Sequence, residues 1–233
     1  MRAHVGSAAG RPGQVGLGTV CRYGTRATRA GGRTEPPEVL VAWDLDNVRP
    51  TADQIKGLLA APYIDLGRRE TDVLLAANSW TLSKVFPQAR DQIDALIRWG
   101  DDQNVGIEVI ETERRRQAVD RVLTQRILEF AELNTRASMI FVVSNDSDFA
   151  PILRYARSMR PCITTITVGT CRPSRNANAM TKKPNVRLSD AADRTLRITW
   201  VAPDSATVNA HGTKLDNGEC SRQISSCIVT ELT

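Results

Sequence analysis

The chain has 233 residues, is 41% hydrophobic and carries 31 Lys/Arg against 26 Asp/Glu, enough for one ordinary core plus extensions. It has no run of ~18 apolar residues to cross a membrane, and its two histidines, His4 and His211, leave the centre without Ser-His-Asp triads, Cys-His pairs or His-ligated zinc. Its five cysteines form no CxxC pair and read as reduced thiols, with a Cys220–Cys227 bridge as the other reading, and 5% aromatic residues argue against a stacking platform for single-stranded nucleic acid.

Residues 1–34 are rich in Arg, Gly and Ala, free of acids and without apolar periodicity. They read as a disordered leader of organellar transit type, directing the protein to a mitochondrion or chloroplast, with a cytoplasmic location as the other reading. Residues 38–201 read as the folded domain. A first buried strand, Val39 to Trp43, ends abruptly at Asp44. Thr51 to Ala61 has a capping-type start and helical spacing. Strands are expected at Asp72–Ala77, Gly106–Ile110, Ser138–Val143 and Cys162–Val168, with a sixth at Leu196–Val201. Between them lie helical patterns at Pro87–Trp99, Gln117–Leu133 and Asp148–Met159. Residues 169–187 read as a basic loop and 202–233 as a poorly ordered tail. This alternation predicts an α/β fold: a mostly parallel sheet of five or six strands with helices on both faces.

The net charge of +5 is unevenly placed. Residues 35–148 are net −7, whereas residues 149–201 are net +8. An anionic partner would be held by the second segment and react at the first. The basic candidates are Arg154 and Arg157 on a helix, and Arg172, Arg175, Lys182 and Lys183 in the loop.

In open parallel sheets, function gathers at the carboxyl ends of strands. Strand one ends in Asp44-Leu45-Asp46-Asn47, strand four in Ser144-Asn145-Asp146-Ser147-Asp148, and Asp120 opens the long helix after strand three. If strands one and four are neighbours, Asp44 and Asp146 face each other, and their repulsion calls for a cation. Carboxylates without His or Cys suit Mg²⁺ or Mn²⁺, ions that activate water at a phosphodiester. The expected ligands are Asp44, Asp120 and Asp146, the catalytic set adds Asp148, and Asn47, Ser144 and Asp46 stand beside them. Taken singly, each of these is also an ordinary turn, cap or solvated helix residue.

VLVAWDLDNVRP and FVVSNDSDFAPILRYAR, with the helix QAVDRVLTQRILEFA between them and ADRTLRITW after them, resemble the NYN domain of the PIN-like ribonuclease superfamily. The resemblance covers roughly 38–201 and implies a three-layer PIN-like fold, metal-dependent hydrolysis of RNA, single-stranded RNA as partner, and a part in RNA processing or control of gene expression. It carries Asp44 and Asn47 over as first-strand site residues, Asp120 as the mid-domain ligand, and Asp146 and Asp148 as the fourth-strand pair. Asn145 stands where the family commonly has Gly. Gln125 and Arg126 stand where many members have a further acid.

Two other readings compete. Asp44-x-Asp46-x-Val48 also fits the signature of haloacid-dehalogenase-type phosphatases, in which the first Asp is the nucleophile. That family needs a Lys before its late acidic pair, and no Lys lies between Lys84 and Lys182. A PIN-like shell with a reduced acidic set could instead bind RNA or protein without cutting it.

Overall fold

The computed structural model describes residues 21–23, 36–60, 69–87, 89–115, 117–171, 185–200, 220–224 and 227–232. Its strands are β1 (Cys21–Tyr23), β2 (Val39–Asp44), β3 (Thr71–Asn78), β4 (Val105–Thr112), β5 (Ser138–Val143), β6 (Ile163–Cys171), β7 (Arg194–Trp200), β8 (Cys220–Ile224) and β9 (Cys227–Leu232). Helices α1 (Ala52–Leu59), α2 (Ser79–Val85), α3 (Ala89–Asp102), α4 (Ala118–Leu133), α5 (Ala150–Met159) and α6 (Val186–Ser189) connect them.

The nine strands among the described residues form one sheet in the order β1-β4-β3-β2-β5-β6-β7-β9-β8. The six central strands pair in parallel and are the six expected from the sequence. Parallel strands are buried on both faces, which is why they read as continuous apolar runs. Alternate residues of β2 enter opposite cores. Val39, Val41 and Trp43 pack on the side of α1 and α3 with Ile55, Leu59, Ile93 and Leu96. Leu40 and Ala42 pack on the other side with Leu123 and Ile127 of α4 and Leu153 of α5. The result is three layers, helix–sheet–helix, with β2 and β5 adjacent at the centre.

Three strands differ from the sequence reading. Cys21–Tyr23 lies within the span read as a leader, yet it pairs antiparallel with β4. The span read as a poorly ordered tail supplies β9, antiparallel to β7, and β8 beyond it. The physical reason is the open edge of β7, whose unpaired backbone groups a β-branched run such as Ile228-Val229-Thr230 can satisfy. A bidentate pair reinforces the junction: Arg194 Nε and Nη2 lie 2.6 and 2.9 Å from the Glu231 carboxylate. Helix α2 was not expected. Asn78 caps it by accepting from the Thr81 N–H at 3.0 Å, and seven residues are too few to display helical periodicity.

Helix α1 opens with a reciprocal capping box between Thr51 and Gln54, as its sequence indicates. Among the described residues no helix is long and apolar enough to cross a membrane.

Candidate metal centre

The site forms where β2 and β5 end side by side. Asp44 is the last residue of β2 and shares the alternation of Leu40 and Ala42, so its side chain emerges on the α4 side of the sheet. It is almost fully buried, and both carboxylate oxygens have partners. Oδ1 accepts from the backbone N–H groups of Asp46 and Asn47 at 3.0 and 3.1 Å. Oδ2 accepts from the Ser144 hydroxyl at 3.0 Å. Burial pushes the Asp44 carboxyl up to about 7, against the opposing pull of the Ser144 and Asn47 hydrogen bonds. The nearby charges of Asp120 and Asp46 raise it further.

Ser144 ties the two strand ends together, because its Oγ also accepts from the Asp146 N–H at 3.0 Å. Asn47 does the same one layer out, its Oδ1 accepting from the Asn145 N–H at 3.3 Å. Asp146 then turns the chain, its Oδ1 accepting from the Asp148 N–H at 2.9 Å and starting the single helical turn Ser147–Phe149 ahead of α5. Asp46 faces the other flank. Asn78 donates to it twice, from the backbone N–H at 3.2 Å and from Nδ2 at 2.8 Å. Asn78 carries little signal in the sequence, because it stands between a strand and a helix too short to detect.

Asp120 arrives from the third direction. Gln117 precedes α4 with a left-handed backbone (φ 61°), a conformation costing about 1 kcal/mol for a side-chain-bearing residue, and the helix starts without a side-chain cap. Asp120 therefore sits in an uncapped first turn, where a carboxylate is favoured by the helix dipole. Burial raises its carboxyl above the ordinary range, and Asp146, Asp148 and Asp46 raise it further.

Asp120, Asp146 and Asp148 each offer an oxygen within 4.8 Å of the others. Asp44 and Asp46 line the same cleft of about 300 Å³, as do Asn47, Arg115 and Gln117. The grouping differs from the ligand set read in the sequence: Asp148 stands with Asp120 and Asp146 at the mouth, and Asp44 lines the floor of the same cleft, hydrogen-bonded at both oxygens. The donor set is carboxylate oxygen throughout, a fit for Mg²⁺ or Mn²⁺. A divalent cation there would offset both the burial and the neighbouring carboxylates that raise the Asp120 carboxyl.

Gln125 and Arg126 point elsewhere. Gln125 donates to Glu129 at 2.8 Å, and Arg126 pairs with Glu108 of β4 at 2.6 Å. Of the basic candidates, Arg154 is exposed on α5 without an ion-pair partner among the described residues, whereas Arg157 is partly exposed and paired. Its guanidinium pairs with Asp193 at 2.8 Å and donates to the Ala191 carbonyl at 3.2 Å. Arg172, Arg175, Lys182 and Lys183 lie outside the described residues.

No curated protein matches the chain. A crystal structure of a Vibrio parahaemolyticus protein of unknown function is similar over 71% of this chain and 94% of that one, at 14% identity and a TM-score of 0.42. The family model that matches is the NYN domain, over residues 38–198, the span that contains all five cleft aspartates. With that match over most of its length, the chain belongs to the NYN domain family, within the PIN-like nuclease superfamily.

Proposed function

We propose that the protein is a metal-dependent ribonuclease that hydrolyses single-stranded RNA, in RNA processing or the control of gene expression. The observation that carries this reading is the convergence of Asp120, Asp146 and Asp148 at the carboxyl edge of a parallel sheet. These three would hold the ion. Bound there, Mg²⁺ or Mn²⁺ supplies a water of lowered pKa and charge stabilisation for the phosphodiester. The protein's own residues do the positioning. Asp44 and Ser144 fix the spacing of the β2 and β5 ends, and Asn47 fixes the turn that carries Asp146. Asn78 holds Asp46 at the opposite rim. The buried Asp44, bonded at both oxygens, is a positioning group and is poorly placed to serve as a phosphatase nucleophile.

One observation favours a second reading, RNA binding without turnover: Arg126 is committed to Glu108 where an additional acid would strengthen the site. The deciding experiment is cleavage of single-stranded RNA in Mg²⁺, Mn²⁺ and EDTA, with Asp146→Asn as control. Metal-dependent cleavage lost in the variant supports the nuclease. RNA binding with no cleavage in either metal supports the second reading. Import into a mitochondrion or chloroplast belongs to the same proposal for residues 1–34. A fluorescent reporter fused to residues 1–40 tests it, and a cytosolic reporter removes it.

A further inference from the structure

Trp80 is one of four exposed large hydrophobic residues of the described chain, at 46% exposure, and it stands in the first turn of α2. Two cations sit over its ring: the Arg49 guanidinium carbon at 5.1 Å from the centroid and Lys84 Nζ at 5.8 Å. Both distances fall within cation–π range. Lys84 comes from one turn further along the same helix, and Arg49 from the loop after β2. Both cations are themselves exposed, and no acidic side chain pairs with either among the described residues.

The patch is joined to the acid cleft by two links. Arg49 Nε donates to the Asp46 carbonyl at 3.3 Å. Asn78, which caps the helix bearing Trp80, holds the Asp46 carboxylate through both of its N–H donors. Asp46 lines the cleft, so the aromatic patch is connected to the cleft through Asp46, on the β3 side. A rim of carboxylates repels a polyanion, and an adjoining pair of cations offsets that repulsion along one direction of approach. Aromatic and guanidinium planes beside cations are the combination that takes unstacked bases and their phosphates.

We infer that Arg49, Trp80 and Lys84 form a subsite for single-stranded nucleic acid, stacking a base next to the phosphate presented to the cleft. The inference rests on the ribonuclease reading but concerns binding, and metal-free conditions separate the two. It is compatible with the low aromatic content, which argues against a broad platform and says nothing about one ring set beside a cleft. A base paired in a duplex has no free face, so the subsite selects single strands. A protein partner could use the same Trp–Arg pair. The continuity with a carboxylate cleft favours the nucleic acid.

The test is binding of a labelled single-stranded RNA and of its duplex to the full chain in EDTA, read by fluorescence anisotropy. Trp80→Ala should weaken single-strand binding about tenfold, and Trp80→Phe should retain most of it. Duplex binding should be unchanged in both. Arg49→Ala/Lys84→Ala should flatten the log–log salt dependence by roughly 1.4 for single strands. Trp80→Ala binding single strands as tightly as the wild type overturns the inference and leaves the patch to a protein partner. Equal losses for single strand and duplex also overturn it, because stacking is then not the cause. A wild type that binds through Trp80 in EDTA but never cleaves with metal keeps the subsite and removes only the nuclease.

Discussion

Asp120, Asp146 and Asp148 stand together with no cation paired to them among the described residues. Three arginines of the basic segment that follows are placed differently. Arg157 is paired with Asp193, Arg194 with Glu231, and Arg160 donates to the Ala131 and Glu132 carbonyls at the end of α4. Counting charge along the sequence makes the second region the more promising contact for an anion. The structure offsets that for Arg157 and Arg194, whose charges are paired with carboxylates, and turns Arg160 towards backbone carbonyls. Charges that the fold leaves uncompensated mark where a ligand is needed, and charges that it pairs hold elements together.

The sharpest way to break this comparison is to remove one charge from each region. Asp146→Asn should lower metal-dependent RNA cleavage by on the order of 10²–10³. It should also abolish the rise in melting temperature that Mg²⁺ or Mn²⁺ gives the wild type. Arg157→Ala should leave cleavage intact and reduce stability by about 1 kcal/mol, through loss of the Asp193 pair and the Ala191 hydrogen bond. Cleavage and denaturant unfolding of both variants supply the check. A fall in turnover for Arg157→Ala, or none for Asp146→Asn, would reverse the assignment of the two regions.

Asp44 sharpens the comparison within the cleft, between its floor and its mouth. Its folded-state carboxyl is raised from 3.8 to about 7 by burial, so the folded chain binds this proton more tightly than the unfolded chain. The stability from that proton is fully present below pH 3.8 and is lost as pH rises towards 7. In EDTA, Asp44→Asn should be more stable than the wild type at pH 8, by at most on the order of 4 kcal/mol. The difference should shrink to nothing near pH 4. Urea unfolding of both proteins across that range measures it, and parallel curves would show that Asp44 is not held against its own charge.

What the sequence disclosed follows the same division. Val39–Asp44 and Ser138–Val143 were legible because strands buried on both faces are continuous apolar runs ending in polar turns. Their Asp clusters were legible because such runs stop abruptly at the carboxyl edge. Which carboxylates converge was not. Asp44 still belongs to its strand and is drawn into the core, whereas Asp146 and Asp148 lie past the end of β5 and turn outward. Where each strand stops relative to its aspartate decides between floor and mouth, and no spacing rule resolves it. Strand β9 was legible in principle from Ile228-Val229-Thr230, but the polar residues around it hid the run. The pairing of Arg157 with Asp193, 36 positions apart, needs the β6–β7 crossover before it can be seen.

The junction of β7 and β9 offers a smaller test of charge as a structural tie. Arg194 holds the Glu231 carboxyl below its ordinary value, chiefly through its hydrogen bonds. The associated stability is therefore present above pH 4.5 and is lost as pH falls through the lowered value. Both side chains are partly exposed, so Glu231→Gln should cost no more than about 1 kcal/mol at neutral pH. Hydrogen exchange should quicken at the β7–β9 pairing and leave β2 and β5 unchanged. Faster exchange at β2 would mean that the added strands support the site itself.

The smallest expected effect compares two arginines of one helix. Arg154 is exposed on α5 and has no ion-pair partner among the described residues, whereas Arg157, one turn along, is paired with Asp193. Counterions leave the nucleic acid when a protein cation neutralises a phosphate, and a cation already paired with a carboxylate brings no net charge to that contact. Arg154→Ala should therefore flatten the log–log salt dependence of single-stranded RNA binding by roughly 0.7. Arg157→Ala should leave the slope unchanged even though it destabilises the fold. Phosphate contacts carry no sequence information, so the Arg154 effect should be equal for unrelated RNAs. Equal slopes for wild type and Arg154→Ala would take this helix out of the RNA path, leaving the Arg49–Trp80–Lys84 side and the basic stretch 172–183 as the places to look.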